Sequence, residues 1–292
     1  MKKAMIATTV LLVVSFVTTL VLGAALGASG LRALFADGGA LDRFADRVRD
    51  RTTVSLYTDM DWEEEGRQFL FQTDSLTLEG APKTLRIEAA MGAVRVRQTT
   101  GDKVEVVLEQ YSRQSAPTPC FALQAQDGAL TLSPSGDTDG VYAVLSVFVP
   151  YALTSLSVET ALGDVDLSGV TADTVLVQTG TGDISLARVT AGDAQLRTET
   201  GDIDVEEAVQ IAERLSVEAQ TGDVGLHLPA GTPFVLTYTV DLGEADLDDI
   251  PTAWLRDTKR GAGASGRIER GTNGAQYTVH VALGELDLEH AG

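Results

Sequence analysis

A glycine followed by an acidic residue recurs at nearly constant spacing through the second half of the chain. The pairs begin at Gly163, Gly182, Gly201, Gly222 and Gly243, so the spacings are 19, 19, 21 and 21 residues. A fixed period of this length is typical of repeat proteins, in which each repeat forms one small structural unit. The sequence therefore predicts a stack of similar units that contact mainly their neighbours.

Apolar and polar residues alternate on both sides of these glycines. Val175 and Val177 precede Gly182, for example, and Ile184 and Leu186 follow it, with polar residues between them. Alternation with a period of two indicates strands that have one wet face. The same frame fits two further glycines, so we expect the β-repeat domain to cover residues 81–290. The predicted structural turn glycines are Gly92, Gly163, Gly182, Gly201, Gly222, Gly243 and Gly284.

These patterns predict an all-β fold, namely a β-solenoid of the parallel β-helix type with Gly-Asp repeats of about 20 residues. One repeat buries about five side chains, and this burial stabilises it by on the order of 10 kcal/mol. The conformational entropy lost when its residues become ordered costs about 20 kcal/mol or more. A single repeat therefore cannot fold alone, and several repeats must stack. A meander of antiparallel hairpins is the alternative, because Gly-Asp also suits hairpin turns. The long intervals Gly92 to Gly163 and Gly243 to Gly284 are expected to form the two ends, with insertions.

The N-terminal part of the chain has a different character. Residues 4–31 contain no charged side chain, and as a helix they exceed the ~30 Å hydrocarbon layer, which predicts a transmembrane anchor. Lys2 and Lys3 place residues 1–3 in the cytoplasm and the repeats outside it. A cleaved signal peptide is the alternative, although its apolar core is usually shorter, ~7–15 residues. Residues 32–80 are predicted to form a juxtamembrane helix and linker, with helical spacing of apolar residues over 41–48.

The composition excludes some function classes. The chain has 42 acidic against 22 basic residues and a formal net charge of −20, which argues against nucleic-acid binding. Cys120 is the only cysteine, so the chain forms no intramolecular disulfide. No phosphate-binding glycine loop leads from a strand into a helix, and we expect no cofactor.

Stacking of the repeats would align acidic residues that follow the turn glycines. At a strand spacing of ~4.8 Å, neighbouring charges repel by about 0.9 kcal/mol in water, and a calcium ion would relieve this repulsion. The pattern favours another explanation, in which glycine supplies a positive φ and the aspartate bonds the turn backbone. We therefore expect no metal site, with one calcium candidate, the column Asp164, Asp183, Asp202 and Asp223.

Catalytic residues are not expected. Paired carboxylates can cleave sugars, and Asp164 with Asp166 and Asp202 with Asp204 are candidates by composition. These acids recur in successive repeats, however, whereas an enzyme usually concentrates its unusual residues in one repeat. The sequence therefore predicts a protein that is not an enzyme.

The remaining residues of chemical interest have simpler interpretations. The three histidines lack the spacing of metal ligands, and the cysteine has no evident base beside it. The two tryptophans fit packing at the ends of the array better than exposed platforms for sugars or partners. These residues are His227, His280, His290, Cys120, Trp62 and Trp254.

Several segments resemble a known family. They are the string from Pro150 to Leu167 and the Thr-Gly-Asp-Ile/Val units at residues 181–184, 200–203 and 221–224. They are similar to the bacterial DUF4097 family of β-strand repeats, whose members are named as candidate adhesins. The resemblance covers about 81–290 and is strongest over 150–247. It implies an N-terminal membrane tether and, from some relatives, a link to envelope stress responses, and it carries no catalytic residue.

The combined expectation is a non-catalytic, extracytoplasmic binding or scaffold module of the bacterial cell envelope, anchored in the cell membrane. Its partner would be another membrane protein. A surface adhesin for glycan or wall polymer is the alternative, and a carbohydrate-active enzyme is a distant third. Binding is expected on the outer faces of the sheets and on the insertions at residues 111–150 and 250–275.

Overall fold

A computed structural model describes residues 69–114, 117–206, 208–229, 231–259, 261, 263–272 and 274–290. This part of the chain is all-β, as predicted, apart from one 3-10 turn at Thr252–Trp254. Among these residues, no helix has the length and apolar character needed to cross a membrane. The anchor predicted at 4–31 and the helical pattern at 41–48 lie outside the described residues.

The described residues form 21 strands. The first half contains β1 (Phe69–Leu78), β2 (Thr84–Ala89), β3 (Ala93–Gln98), β4 (Val104–Ser112), β5 (Phe121–Gln126), β6 (Ala129–Pro134), β7 (Val141–Val149), β8 (Leu153–Leu162), β9 (Val165–Ser168) and β10 (Thr171–Thr181). The second half contains β11 (Ile184–Ala187), β12 (Thr190–Thr200), β13 (Ile203–Val205), β14 (Gln210–Thr221), β15 (Val224–Leu228), β16 (Phe234–Leu242), β17 (Ala245–Asp246), β18 (Leu255–Lys259), β19 (Ser265–Arg270), β20 (Ala275–Leu283) and β21 (Leu286–His290).

The strands form two open, mixed sheets. Sheet A has the order β1-β4-β7-β3-β9-β11-β13-β15-β21-β17, and sheet B has the order β18-β19-β16-β20-β14-β12-β10-β8-β2-β6-β5. Each repeat contributes one strand to sheet B and one to sheet A, and its Gly-acid pair lies at the bend between them. A strand pair of this kind is called a rung below.

Equivalent residues of successive repeats pair in parallel. Val175 of β10 lies between Leu156 of β8 and Ala194 of β12, and Ile184 of β11 lies between Val165 of β9 and Ile203 of β13. The antiparallel hairpins of the alternative fold occur only towards the ends of the sheets, in pairs such as β5 with β6 and β18 with β19.

The rungs do not follow one another in sequence order. The rung that contains Gly284, β20 with β21, lies between the rung of Gly222 and the rung of Gly243. The expectation that the Gly243 to Gly284 interval forms an end is therefore wrong for Gly284 itself. The physical reason is that β18 and β19 extend sheet B antiparallel on one side of β16, and the chain then returns as β20 on the other side of β16.

The other end is built from the insertion between Gly92 and Gly163. Strands β6 and β7 add one more parallel rung beyond β2 and β3, and β4, β1 and β5 then add antiparallel strands. Strand β1 lies within residues 32–80, where the sequence predicted a helix and linker. This assignment is wrong for residues 69–78, because β1 pairs outside the repeat frame and carries no Gly-Asp signal.

The core lies between the two sheets and is filled by the alternating apolar positions. Leu85, Ile87, Leu156 and Val158 are fully buried, and corresponding side chains of the next rungs lie beside them. Burial of each such side chain contributes about 1.5–3 kcal/mol. The buried residues form one continuous cluster from Leu78 to Leu288, which explains why the repeats depend on one another.

Candidate binding surface

The seven turn glycines lie at the bends between sheet B and sheet A. Their φ angles are between 118° and 151°, a region that residues with a Cβ atom rarely adopt. A Cβ on Gly201 would also overlap the carbonyl oxygen of Gly182 in the preceding rung. The bends are therefore stacked so closely that both the backbone angle and the available space require glycine.

The aspartates that follow these glycines form a hydrogen-bonded ladder. Asp164, Asp183, Asp202 and Asp223 each accept, through Oδ1, the backbone N–H of the acidic residue in the next rung, at 3.0, 2.7, 2.7 and 2.7 Å. The last of these donors is Glu285. One carboxylate oxygen of each aspartate thus bonds the backbone of the neighbouring bend. The described residues contain no group of three or more His, Cys, Asp or Glu placed to hold a metal ion.

We expect substitutions of Asp202 to separate hydrogen bonding from charge. Asp202→Ala should lower the free energy of unfolding by about 1 kcal/mol, because the N–H of Asp223 loses its acceptor at an exposed site. Asp202→Asn keeps an oxygen acceptor and should stay within about 0.5 kcal/mol of the unsubstituted protein. Urea denaturation with and without a chelator measures both. Equal losses in the two variants would contradict the hydrogen-bond role, and a lower urea midpoint of the unsubstituted protein in chelator would support bound calcium.

The carboxylate pairs considered for sugar cleavage are separated by the bend geometry. Asp164 lies at a bend, whereas Asp166 lies on the outer face of sheet A, 3.5 Å from the guanidinium of Arg97. Asp204 is on the same face in the central part of the sheet, and Asp202 is in the ladder. Neither pair lines the grooves that the described residues form near Leu123 and Ser157.

The histidines lie in different strands and have different surroundings. His227 is 3.0 Å from Glu289, and His280 is 3.0 Å from Asp241. The ring of His290 lies against Trp254, with 4.7 Å between the ring centroids. The structure therefore does not bring the three histidines together.

Trp254 packs at the end of the stack. Its ring meets Phe234 edge to face at 6.0 Å, and the guanidinium of Arg270 lies 5.0 Å from its centroid. It contacts the main core as a partly buried residue, which agrees with the packing interpretation rather than with an exposed platform. Trp62 lies outside the described residues.

Cys120 is buried at the start of β5, where desolvation and then the charge of Asp137 raise the thiol pKa to about 11. The thiolate is the reactive form, so the native thiol should resist iodoacetamide at pH 8 and react fully after unfolding. Mass spectrometry of the alkylated protein measures this. Rapid native labelling would show that the segment around residue 120 opens.

Because the pKa of the Cys120 thiol is raised in the folded protein, the protonated thiol stabilises the fold below its unfolded pKa, and this contribution is lost as the pH rises towards 11.

An apolar patch interrupts the polar outer face of sheet A. It lies on β1, β4 and β7, the strands outside the repeat frame, and it is called the outer-face patch below. Leu70, Tyr111 and Tyr142 are direct cross-strand neighbours in one row. The patch consists of Leu70, Val107, Tyr111, Tyr142, Val144 and Phe148.

The patch is a surface cluster that is separate from the core. Val144 is only 4% exposed, yet it does not belong to the core cluster, because it points away from sheet B and is covered by its neighbours on the outer face. Leu70 is 48% exposed, and Tyr111, Tyr142 and Phe148 are partly exposed. On the parallel strands, the same face carries polar residues such as Asp166 and Asp204. These apolar residues, with Glu105, Glu109 and Ser146 between them, form a mixed cluster on an otherwise polar face, which indicates an interaction surface.

The repeat frame and the bends together agree with one protein family. The family model described as Toastrack DUF4097 matches residues 81–288, more than two thirds of the chain. The chain belongs to the Toastrack DUF4097 family. The matched range contains most of the outer-face patch, whereas β1 with Leu70 lies before it.

Two solved structures are among those found to be similar to this Toastrack protein. A candidate cell adhesion protein from Clostridium sporogenes ATCC 15579 is 9% identical, with a TM-score of 0.44, over 75% of this chain and 99% of that chain. A candidate adhesin from Bacteroides fragilis NCTC 9343 is 15% identical, with a TM-score of 0.40, over 74% and 97% of the two chains. The comparison with curated proteins gave no match.

Charged groups surround the aromatic rings of the Toastrack outer-face patch. Burial, followed by the charge of Asp164, raises the pKa of Tyr142 to about 12, while Arg95 opposes this shift. Burial and Glu109 raise the pKa of Tyr111. Both phenols are therefore neutral hydrogen-bonding groups at physiological pH, on a surface that combines rings, carboxylates and a guanidinium.

Sequence reasoning placed binding on the outer faces and on residues 111–150, but it did not identify the patch residues of the Toastrack domain. A signal was present in β7, which reads Val-Tyr-Ala-Val-Leu-Ser-Val-Phe-Val over Val141–Val149. Apolar residues occupy both parities there, and a strand with one wet face would show strict alternation. This departure from the repeat pattern marks a strand with an apolar outer face.

Proposed function

We propose that this protein is a non-catalytic, extracytoplasmic binding or scaffold module of the bacterial cell envelope that takes part in envelope stress signalling through a membrane-protein partner. The observation that carries this proposal is the outer-face patch. Its tyrosines, its phenylalanine and the nearby arginine are residue types enriched at protein interfaces.

The proposal includes a membrane anchor at residues 4–31, with residues 1–3 in the cytoplasm. The uncharged apolar run and the preceding Lys2 and Lys3 support it. An anchor would confine the protein to the membrane, which raises the local concentration of a membrane-protein partner.

We also infer that the rungs wind as a β-solenoid, which is supported by the parallel pairing of equivalent residues. A solenoid suits a scaffold because its stacked rungs are rigid and its inserted strands vary without disturbing the repeat. The patch lies on the inserted strands, where such variation is tolerated.

A surface adhesin for glycan or wall polymer is the second candidate. Tyr111 and Tyr142 are neighbours on the outer face of sheet A, next to Arg95 and Glu109. Aromatic rings flanked by charged hydrogen-bonding groups can also hold sugar rings. Binding to a membrane-protein partner would require the anchor at residues 4–31, whereas binding to glycan or wall polymer would not.

Crosslinking in intact cells, followed by capture of the tagged full-length protein and mass spectrometry, tests the proposal. We expect one membrane protein to be enriched over an anchor-only control. The Tyr111→Ser/Tyr142→Ser variant should lose most of it, whereas Gln178→Ala, on the outer face of sheet B, should retain it. Equal capture by both variants would contradict the role of the patch. Recovery of wall polymer alone, reproduced with purified residues 36–292, would support the adhesin.

A further inference from the structure

The longest strand edge of the described fold is β1. It pairs with β4 on one side, and no described strand pairs with it on the other. The edge strands are β1 with ten residues, β5 with six, β18 with five and β17 with two. An unpaired edge presents backbone N–H and C=O groups that another strand can bond. Strand β1 therefore offers the most backbone pairing sites.

A groove runs between this edge and the edge of sheet B. Its volume is about 240 Å³, and it is lined by Asp74, Ser75 and Leu76 of β1, Leu108 of β4, and Phe121 to Leu123 of β5. Leu76 and Leu123 are only partly buried against the core at this point. The volume lies below the range of typical small-molecule sites, ~300–1,000 Å³, and suits a few side chains. The sandwich is thus incompletely closed where β1 and β5 face each other.

The outer-face patch and the groove lie on opposite faces of the same edge. Leu70 continues the row of Tyr111 and Tyr142 on the outer face, whereas Asp74 and Leu76 pair with core residues of β4 and face inwards. A register shift between Leu70 and Gln72 brings even-numbered residues to both faces, and beyond it successive side chains alternate between faces. A strand added to β1 would therefore place alternate side chains in the groove and the others on the outer face, where Leu70 joins the patch.

We infer that β1 is a docking edge for an extended peptide strand of a partner protein, which adds antiparallel to sheet A. This inference rests on the proposed function and names the mode of binding. Backbone hydrogen bonds to β1 supply affinity, and the groove and the outer-face patch select apolar side chains at alternating positions. Phe69 and Leu70, which are 60% and 48% exposed at the start of β1, lie where the partner strand ends.

Charge specifies the partner further. Asp74 is the only charged residue of β1, and it lines the groove, where its carboxylate accepts a hydrogen bond from Gln72 at 2.9 Å. A second copy of the chain paired through β1 would bring two Asp74 carboxylates into the same narrow region. A lysine or arginine on the inward face of a different strand would instead be attracted by Asp74 and by the overall charge of −20. The expected partner is an amphipathic strand with apolar residues and a basic residue on its inward face.

Selection from a displayed library of ten-residue random peptides, matched to the length of β1, tests the inference with the full chain in detergent micelles. We expect the selected peptides to alternate in hydropathy and to carry a basic residue. Leu123→Lys fills the groove and should weaken binding of the best peptide by about tenfold or more. Gln124→Lys adds the same charge one residue away on the outward face, and it should change binding by less than about twofold.

Hydrogen exchange of the β1 amides that point away from β4, with and without the best peptide, completes the test, with melting temperature as the folding control. Protection of these free-edge amides on peptide binding supports the inference. Three results would overturn it: peptides that leave the free-edge amides unprotected, free-edge amides already protected in the free chain, or protection that rises with protein concentration. The second result assigns the edge to another segment of this chain, and the third assigns it to a second copy. Capture of a partner in cells without protection of β1 would leave the proposed function intact and reject this docking edge.

Discussion

Gly201→Ala should destabilise the Toastrack domain by about 3 kcal/mol or more. The φ angle of Gly201 is 138°, and a Cβ atom there would overlap the carbonyl oxygen of Gly182 and come within 2.9 Å of the Asp183 carboxylate. The backbone strain alone costs on the order of 1–3 kcal/mol, and relief of the overlap requires the bends of two rungs to separate. The expected loss in melting temperature is about 6–12 °C for a domain of this size.

Gly225→Ala is the matched control for this prediction. Gly225 lies in β15, near the bends, and has no positive φ, and its added Cβ would meet only the movable carboxylate of Asp204 at 3.3 Å. Its free energy of unfolding should change by less than about 0.5 kcal/mol. Thermal melting of the Gly201→Ala and Gly225→Ala variants measures the two losses of stability. A similar loss in both would show that the stacked bends tolerate a side chain.

Gln110→Ala should destabilise the fold by about 3–5 kcal/mol. Gln110 is fully buried on β4, and its Oε1 accepts the backbone N–H groups of Cys120 and Phe121 at 3.0 and 3.2 Å. Its Nε2 donates to the Phe121 carbonyl oxygen at 3.4 Å. Removal of the amide leaves two buried donors without an acceptor, at about 1–3 kcal/mol each, and also creates a cavity. This side chain holds the start of β5 in sheet B against β4 in sheet A.

Gln124→Ala is the control for Gln110, because Gln124 is an exposed glutamine on β5. Chemical denaturation should show a change below about 0.5 kcal/mol for this variant. If Gln110→Ala also changed stability by this small amount, water would have to replace the lost acceptor. Increased alkylation of Cys120 in Gln110→Ala, but not in Gln124→Ala, would locate the damage at the start of β5.

The repeating part of the fold could be predicted from the sequence because each strand shows its own local pattern of apolar and polar residues. Strand alternation has a period of two, and a buried position such as Val177 must be apolar in every rung. The sequence predicts that the aspartates bond the turn backbone. The structure shows which turn is bonded, because Asp183 accepts the N–H of Asp202 in the next rung, and no local pattern reveals this pairing between rungs.

The arrangement of the nonrepeating strands could not be predicted, because it depends on contacts between residues that are distant in sequence. Strand β20 has the same frame as the other repeats, so its pattern fits any position in the stack. The outer-face patch forms because β1, β4 and β7 become neighbours through pairing across long insertions. The two apolar faces of β7 are visible in the sequence, but the strands that complete the patch are not.

The position of β20 and β21 within the stack makes two earlier segments of the fold depend on a segment that follows them in the sequence. Residues 275–290 separate β14 and β15 from β16 and β17, so β16 and β17 have no parallel neighbour until residues 275–290 have been synthesised. Removal of these residues would leave two bare strand edges and exposed apolar side chains within the sheets, as is typical of proteolysis-prone and aggregation-prone intermediates. During synthesis, the stack therefore closes late, when β20 and β21 enter between strands that have already emerged.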